Sequence, residues 1–342
     1  MEYEQPETSA AHCNCTGLRY CIICVNSDRV KSIKEDAEKN GVELARSVFE
    51  KNKQQLPQSS CAFSALPSIS PMAWCAACGT IFVKPSTSTG NDVYLDSNKG
   101  CCAHFDGGWE PCLDIEFKGL FGFPGLIDEA YEAILADFLD GKPRRIEDAV
   151  VIAEDGSSIP SPFPGWKDSQ SGRRKQDFGP APNFKKRKVK SSELPGMPIE
   201  LKRLLTTIMS EVDGVTMNPT TELPPFVIAQ ASCLDYDSSV LSNLDPHVDD
   251  VWLWGPRVAG VSLLAGCIMT FVREDGVMVD VHLPRRWGFV LSGESRFQWL
   301  HGIRHSGIQG RRLSITMREL APGAGLDEEL KNTILNFAQN YV

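Results

Sequence analysis

His247 and Asp249 stand two residues apart in Asp245-Pro246-His247-Val248-Asp249-Asp250. In an extended chain that spacing sends an imidazole and a carboxylate to one face. Completed by a distant second imidazole, they make the two-His-one-carboxylate set that holds ferrous iron and leaves adjacent coordination positions open. Two histidines compete for the third place. One is His301, in Gly293-Glu294-Ser295-Arg296-Phe297-Gln298-Trp299-Leu300-His301-Gly302-Ile303, and the other is His305. Downstream, Arg312, Ser314, Thr316 and Arg318 alternate with Leu313, Ile315 and Met317, so in a strand they share a face. Arg312 and Arg318 are then roughly 20 Å apart along the chain, a gap that two inward-reaching guanidinium groups shorten. Arginine forks bind carboxylates bidentately, so this face suits a small dicarboxylate.

Such residues need a rigid frame, and the sequence supplies one beyond Pro225. Short apolar or alternating runs follow one another there: Phe226–Ala229, Val251–Trp254, Val258–Leu264, Ile268–Val272, Val277–His282, Gly288–Leu291 and Leu313–Met317. Glycines, prolines and charged turns separate them, which predicts a sandwich or barrel of the jelly-roll kind. Apolar residues at helical spacing predict flanking helices around Ile127–Phe138, Leu201–Val212 and Leu326–Phe337. The fold class expected is α+β, mainly β. Trp252 and Trp254 share a strand face in this reading, as core residues or as a stacking platform.

The 342 residues, 42% hydrophobic and 23% charged, can build a sizeable core. A net charge of −9 argues against a nucleic-acid coat over the whole chain, although it leaves room for a local basic patch. The start lacks the features of a secretory signal and no apolar run is long enough to span a bilayer, so an intracellular protein without a membrane role is expected. Ten of the 12 cysteines fall between Cys13 and Cys112. In a reducing compartment such clusters favour metal over disulfides. Cys13, Cys15, Cys21 and Cys24 have spacing that suits a structural zinc ion. Cys75 and Cys78, with Cys101, Cys102, His104 and Cys112, offer a looser second set.

The shift in composition divides the chain into three: a Cys-rich zinc-binding segment (1–30), a linker and Cys/Ser/Gly-rich insert (31–112), and a catalytic domain (113–342). Within the last, Lys185-Lys186-Arg187-Lys188-Val189-Lys190 reads equally as a solvated face, a weak nuclear-import signal, or an edge attracting acidic protein or phosphates.

His247-x-Asp249, the Gly-Glu-Ser-Arg…His301-Gly-Ile run and Arg312-x5-Arg318 together resemble the AlkB family of Fe(II)/2-oxoglutarate dioxygenases. Three stretches resemble its AlkB homolog four branch: Ser169–Gly179, Asp245–Gly255 and the amino-terminal cysteines. The resemblance spans about 114–322 and implies a double-stranded β-helix. It implies iron held by His247, Asp249 and His301, and 2-oxoglutarate held by Arg312, Arg318 and Tyr236. The family often has Asn-x-Tyr where this chain has Leu234-Asp235-Tyr236, and Ser314 is the residue that would compensate. Arg173, Arg174 and Phe178 fall where the family carries its substrate-covering lid. Asp250 either accepts a substrate N–H or is a solvated carboxylate.

The implied reaction consumes O2 and 2-oxoglutarate, releases succinate and CO2, and hydroxylates an N-methyl carbon that leaves as formaldehyde. The branch is linked to methylated lysine in actin or actomyosin-type proteins and to N6-methyladenine in DNA. An acidic chain without an evident row of stacking aromatics leans toward methyl-lysine, in cytoplasm and nucleus. A contrasting expectation is a zinc-stabilised scaffold whose oxygenase core is secondary.

Overall fold

The computed structural model describes residues 70–75, 79–84, 109–142, 162–184, 186–216 and 223–342, with a few isolated positions and the short strands β5 (Arg145–Ile146) and β6 (Ala149–Val150). Cys13, Cys15, Cys21, Cys24, Cys78, Cys101, Cys102 and His104 lie outside the described residues.

The remaining strands are β1 (Met72–Trp74), β2 (Ile81–Val83), β3 (Glu110–Cys112), β4 (Leu120–Phe123), β7 (Lys167–Asp168), β8 (Arg174–Phe178), β9 (Ala181–Asn183), β10 (Lys188–Lys190), β11 (Gln230–Asp237), β12 (Leu244–His247), β13 (Trp254–Leu263), β14 (Cys267–Arg273), β15 (Met278–Leu283), β16 (Gly288–Leu291), β17 (Trp299–Ile308) and β18 (Arg311–Leu320). The helices are α1 (Glu129–Leu139), α2 (Lys202–Thr216), α3 (Gly293–Phe297) and α4 (Glu328–Gln339). Two sheets carry the fold, in the orders β4-β16-β13-β18-β11-β8-β7 and β12-β17-β14-β15-β1-β2-β3. The last eight strands interleave: β11, β18, β13 and β16 form the centre of one sheet, and β12, β17, β14 and β15 a block of the other. That alternation is the double-stranded β-helix the sequence predicts.

Side-chain parity explains why the sandwich has two different faces. On β18, Leu313, Ile315 and Met317 turn outward and pack with Leu135 and Phe138 of α1 and Leu204, Leu205 and Ile208 of α2. The alternate residues Arg312, Ser314, Thr316 and Arg318 then point between the sheets. The interior is apolar at Phe271, Val281, Leu291 and Trp299. It is polar along the inner edge of β18, where Arg312 and Ser314 are buried. α1 is started by the Asp128 carboxylate, which accepts from the Tyr131 amide at 2.8 Å.

Residues 70–75, 79–84 and 109–112 join the second sheet, which therefore extends across the boundary expected at 113. β1 runs parallel to β15, with Ala73 opposite Asp280, and β2 and β3 extend the sheet from there. Lys84 and Asp280 seal the junction with a buried 2.6 Å ion pair, and Thr270 donates to the same carboxylate. Trp74 packs edge-on to Phe117, so the interior of this sheet is continuous with the catalytic domain. Cys75, at the end of β1, is in a disulfide and does not offer its thiolate to the second zinc set expected from the sequence.

Candidate active site

β12 and β17 run antiparallel with His247 directly opposite His301, and their ring centroids are 4.5 Å apart. The approach depends on Gly302: a Cβ there would lie 2.6 Å from the Leu244 carbonyl oxygen and the Pro246 nitrogen. His247 Nδ1 donates to the Asp245 carbonyl at 2.9 Å, which fixes the tautomer with the lone pair on Nε2. That Nε2 is 3.8 Å from Asp249 Oδ1. His301 is buried against Phe271, and burial, reinforced by His247, lowers its pKa to about 3, so it is the neutral, ligating form near pH 7. Burial pushes the Asp249 carboxyl up, but the Arg318 guanidinium beside it outweighs that and holds the group below its ordinary range.

The donor set fits a cation. Asp249 Oδ2 and His301 Nδ1 are buried without hydrogen-bond partners, and the lone pairs of a carboxylate and a neutral imidazole are gathered where no protein donor serves them all. Among the described residues, no three His, Cys, Asp or Glu side chains are drawn closely enough to hold a metal as they stand. Asp249 Oδ1 is turned instead to Arg318 Nη2 at 3.0 Å. Oδ2 is the oxygen left for a metal.

A second cluster of polar residues lies along β18. Arg312 is 1% exposed and donates through Nε and Nη2 to Ser262 Oγ at 3.2 and 2.8 Å, while its Nη1 is buried without a partner. Tyr236 is opposite Arg312 in the β11–β18 register, and the guanidinium lies 5.2 Å from its ring centroid. Ser314 is buried between Leu234 and Ser262 in register. Arg318, with Nη1 on Gln230 and Nη2 on Asp249, keeps Nε buried and unpartnered. Two guanidinium groups thus hold buried, unspent N–H groups on one strand face. That is a dicarboxylate's complement.

From His247 and Asp249 a groove of about 1040 Å³ opens to solvent, lined by Asp250, Trp254, Gln230 and Ser232 and by the β7–β8 and β9–β10 hairpins. Asp250 is half-buried in its wall, and burial, with the neighbouring Asp249 charge, raises its pKa. Arg173 lines the groove with its guanidinium 5.9 Å from the Tyr236 ring.

The other two lid residues need correcting. Phe178 is wholly buried on the helix side, against Phe138 and Phe163, and touches no groove. Arg174 is committed to Asp235 and lies over Trp166. The reason is parity. On β8 the groove face belongs to Lys175 and Asp177, which the sequence reading passed over, and Asp177 accepts from Ser232 at 2.6 Å. Alternation from the buried Phe178 was the available signal. His305 lies exposed on β17 and cannot replace His301. Val251–Leu253 form a turn rather than a strand, so Trp252 and Trp254 do not share a strand face. Trp254 is buried at the head of β13, with the Arg318 guanidinium 5.7 Å from its ring.

No family model matches the chain. It is 29% identical over 310 residues to the DNA N6-methyl adenine demethylase of Caenorhabditis elegans, covering 90% of this chain and 87% of that one. It is 34% identical over 211 residues to the human Alpha-ketoglutarate-dependent dioxygenase alkB homolog 4, covering 52% of this chain and 67% of the relative. Its likeness to the solved structure of OsALKBH1 is slighter: a TM-score of 0.40 at 15% identity, over 59% of this chain and 96% of that one.

Proposed function

This chain belongs to the AlkB family of 2-oxoglutarate-dependent dioxygenases, and from that premise we propose that it removes the N-methyl group of N6-methyladenine in DNA. The observation that carries the choice of substrate is the charge on the groove. Lys167, Lys175 and Lys190 line it, and Lys186, Arg187 and Lys188 stand exposed on the β9–β10 hairpin beside it. Within the groove Lys175 is offset by Asp177 and Arg318 by Asp249, and the exposed Lys186 and Lys188 of the hairpin add a positive surplus at the rim. On a chain of net charge −9 that surplus is local, and it suits a phosphate backbone. The demethylase relative from Caenorhabditis elegans supports the same choice.

In this reading His247, Asp249 and His301 hold iron, and Arg312, Arg318, Tyr236 and Ser314 hold 2-oxoglutarate. The iron, when bound, couples oxygen activation to decarboxylation of 2-oxoglutarate and so supplies the oxidising power. The chain's own residues do the rest. Arg312 and Arg318 fix the dicarboxylate, the apolar sheet faces around Phe271 and Trp299 exclude water, and Asp250 accepts the substrate's N–H.

A second reading, demethylation of methyl-lysine in an actin-like protein, draws support from Asp168, Glu193 and Asp250 in the same groove, since carboxylates attract a methylammonium. Formaldehyde and succinate release from N6-methyladenine DNA and from methylated actin, measured side by side, separates the two. Turnover on DNA that falls steeply with salt and in Lys186→Glu/Lys188→Glu/Lys190→Glu supports the first reading. Turnover on actin alone, unmoved by those changes, overturns it.

A further inference from the structure

Arg296 occupies a position that neither the iron nor the 2-oxoglutarate reading uses. It sits on α3, is fully buried, and sends its guanidinium under the loop that joins β12 to β13. All three of its nitrogens are engaged, and every acceptor is a backbone carbonyl of that loop or its end. Nη1 donates to Asp249 O at 3.0 Å, Nη2 to Trp254 O at 3.3 Å and Nε to Gly255 O at 3.3 Å. A buried arginine normally takes a carboxylate partner. This one is spent on main chain.

The tether has a specific consequence. Asp249 is the only one of the three iron-facing residues that no strand holds: His247 ends β12 and His301 lies in β17, while Asp249 falls two residues past the strand. The loop's other backbone bonds are Trp254 N to Asp250 O at 3.0 Å and Ala321 N to Leu253 O at 2.8 Å, and neither reaches Asp249 itself. Its main-chain bond to Arg296 is the contact that fixes where the carboxylate starts from. α3 leads directly into β17 and so to His301.

The geometry points to Arg296 as a positioning residue that ties the Asp249 main chain to the frame carrying His301, so that the carboxylate is kept beside the two imidazoles before metal arrives. The inference rests on the iron-binding reading above. A planar fork spanning three carbonyls is not reproduced by a lysine, which keeps the charge but has one nitrogen to place.

The test is the affinity of the purified full chain for Mn(II), measured by calorimetry without co-substrate, together with the visible spectrum of its Co(II) form. Loss of such a support weakens metal binding about 10–100-fold. Arg296→Lys is expected to raise the Mn(II) dissociation constant by at least about tenfold and to change the Co(II) spectrum, while its far-ultraviolet dichroism and 2-oxoglutarate-independent unfolding midpoint stay close to wild type. Wild-type affinity in a folded Arg296→Lys protein overturns the inference. Absence of Mn(II) binding to the wild type overturns the iron-binding reading instead. Should Arg296→Lys fail to fold, hydrogen exchange of the wild-type apoprotein decides. The amides of Val251–Leu253, which no strand holds, are expected to exchange more slowly than those of the exposed β9–β10 turn, and exchange as fast as that turn refutes the tether.

Discussion

Phe178→Ala separates a lid residue from a core residue, and the structure fixes its outcome. The Phe178 ring is 0% exposed and sits in an aromatic trio, 5.6 Å from the Phe163 centroid and 5.9 Å from that of Phe138. Truncation removes the ring from both contacts and leaves a hole walled by three separate elements. β8 is pinned by five residue pairs to β11, from Ala231↔Phe178 to Asp235↔Arg174, so the strand cannot sink to fill it. A Phe→Ala change in such a site costs about 3–5 kcal/mol. At about 2–4 °C of midpoint per kcal/mol, the thermal transition drops by roughly 10 °C.

The assay is urea unfolding of the apoprotein followed by tryptophan fluorescence, paired with steady-state kinetics at a temperature where the variant is fully folded. Stability is expected to fall by that amount while the KM for methylated substrate stays within about twofold, since no atom of the ring lines the groove. Lys175→Ala is the mirror case. Its side chain is 46% exposed on the groove face, so stability changes by less than about 0.5 kcal/mol while KM rises. A Phe178→Ala protein of near-native stability with a raised KM would refute the parity assignment of β8.

Glu132 is 1% exposed on α1 and receives both Arg285 and the Leu264 amide, so Glu132→Ala strands a buried N–H and costs about 2–4 kcal/mol by urea unfolding. Asp249→Asn is expected to reduce 2-oxoglutarate turnover to background, with loss of Mn(II) binding by calorimetry. His282 gives the pH prediction. Burial lowers its pKa from 6.5 to about 4, so the folded state binds fewer protons than the unfolded state between those values. Its contribution is therefore fully present above pH 6.5 and is lost as pH falls toward 4, at most about 3 kcal/mol in all. In His282→Gln, urea midpoints measured from pH 7 to pH 4 should decline less steeply by that amount.

The strands that build the barrel were legible because their alternation is strong. Leu313, Ile315 and Met317 against Arg312, Ser314 and Arg318 announce two faces, and the structure keeps them apart in that order. His247 and Asp249 stood out by their i, i+2 spacing, although Asp249 falls in the loop two residues past β12 and is not held by strand alternation. What failed were places where alternation is short or the pairing is remote. β1 and β2 are three residues each, set in a Ser/Pro-rich stretch, and their place depends on a parallel partner some 200 residues away, signalled by nothing local. On β8 the charged run Arg173-Arg174-Lys175 conceals which parity faces the groove. Only the buried Phe178 at its end settles the phase.

Three buried arginines, Arg257, Arg296 and Arg312, and the partly buried Arg318 show how structure and chemistry are divided around the barrel interior. Arg257 spends its guanidinium on Glu319, Asp213, Thr216 and the Pro224 carbonyl, and Arg296 spends its own on three loop carbonyls. Neither leaves a buried nitrogen unserved. Arg312 and Arg318 each do, at Nη1 and at Nε. An unpaired buried N–H on a charged group costs more than about 1–3 kcal/mol, so a fold keeps such a pair only where something else supplies the acceptor. Sequence cannot make this distinction, because all four residues look alike in it. The satisfied pair belongs to the frame. The unsatisfied pair lies on one face of one strand, six residues apart, with Arg318 against Asp249 and Arg312 against Tyr236, and in the proposed function its missing acceptors are the carboxylates of the co-substrate.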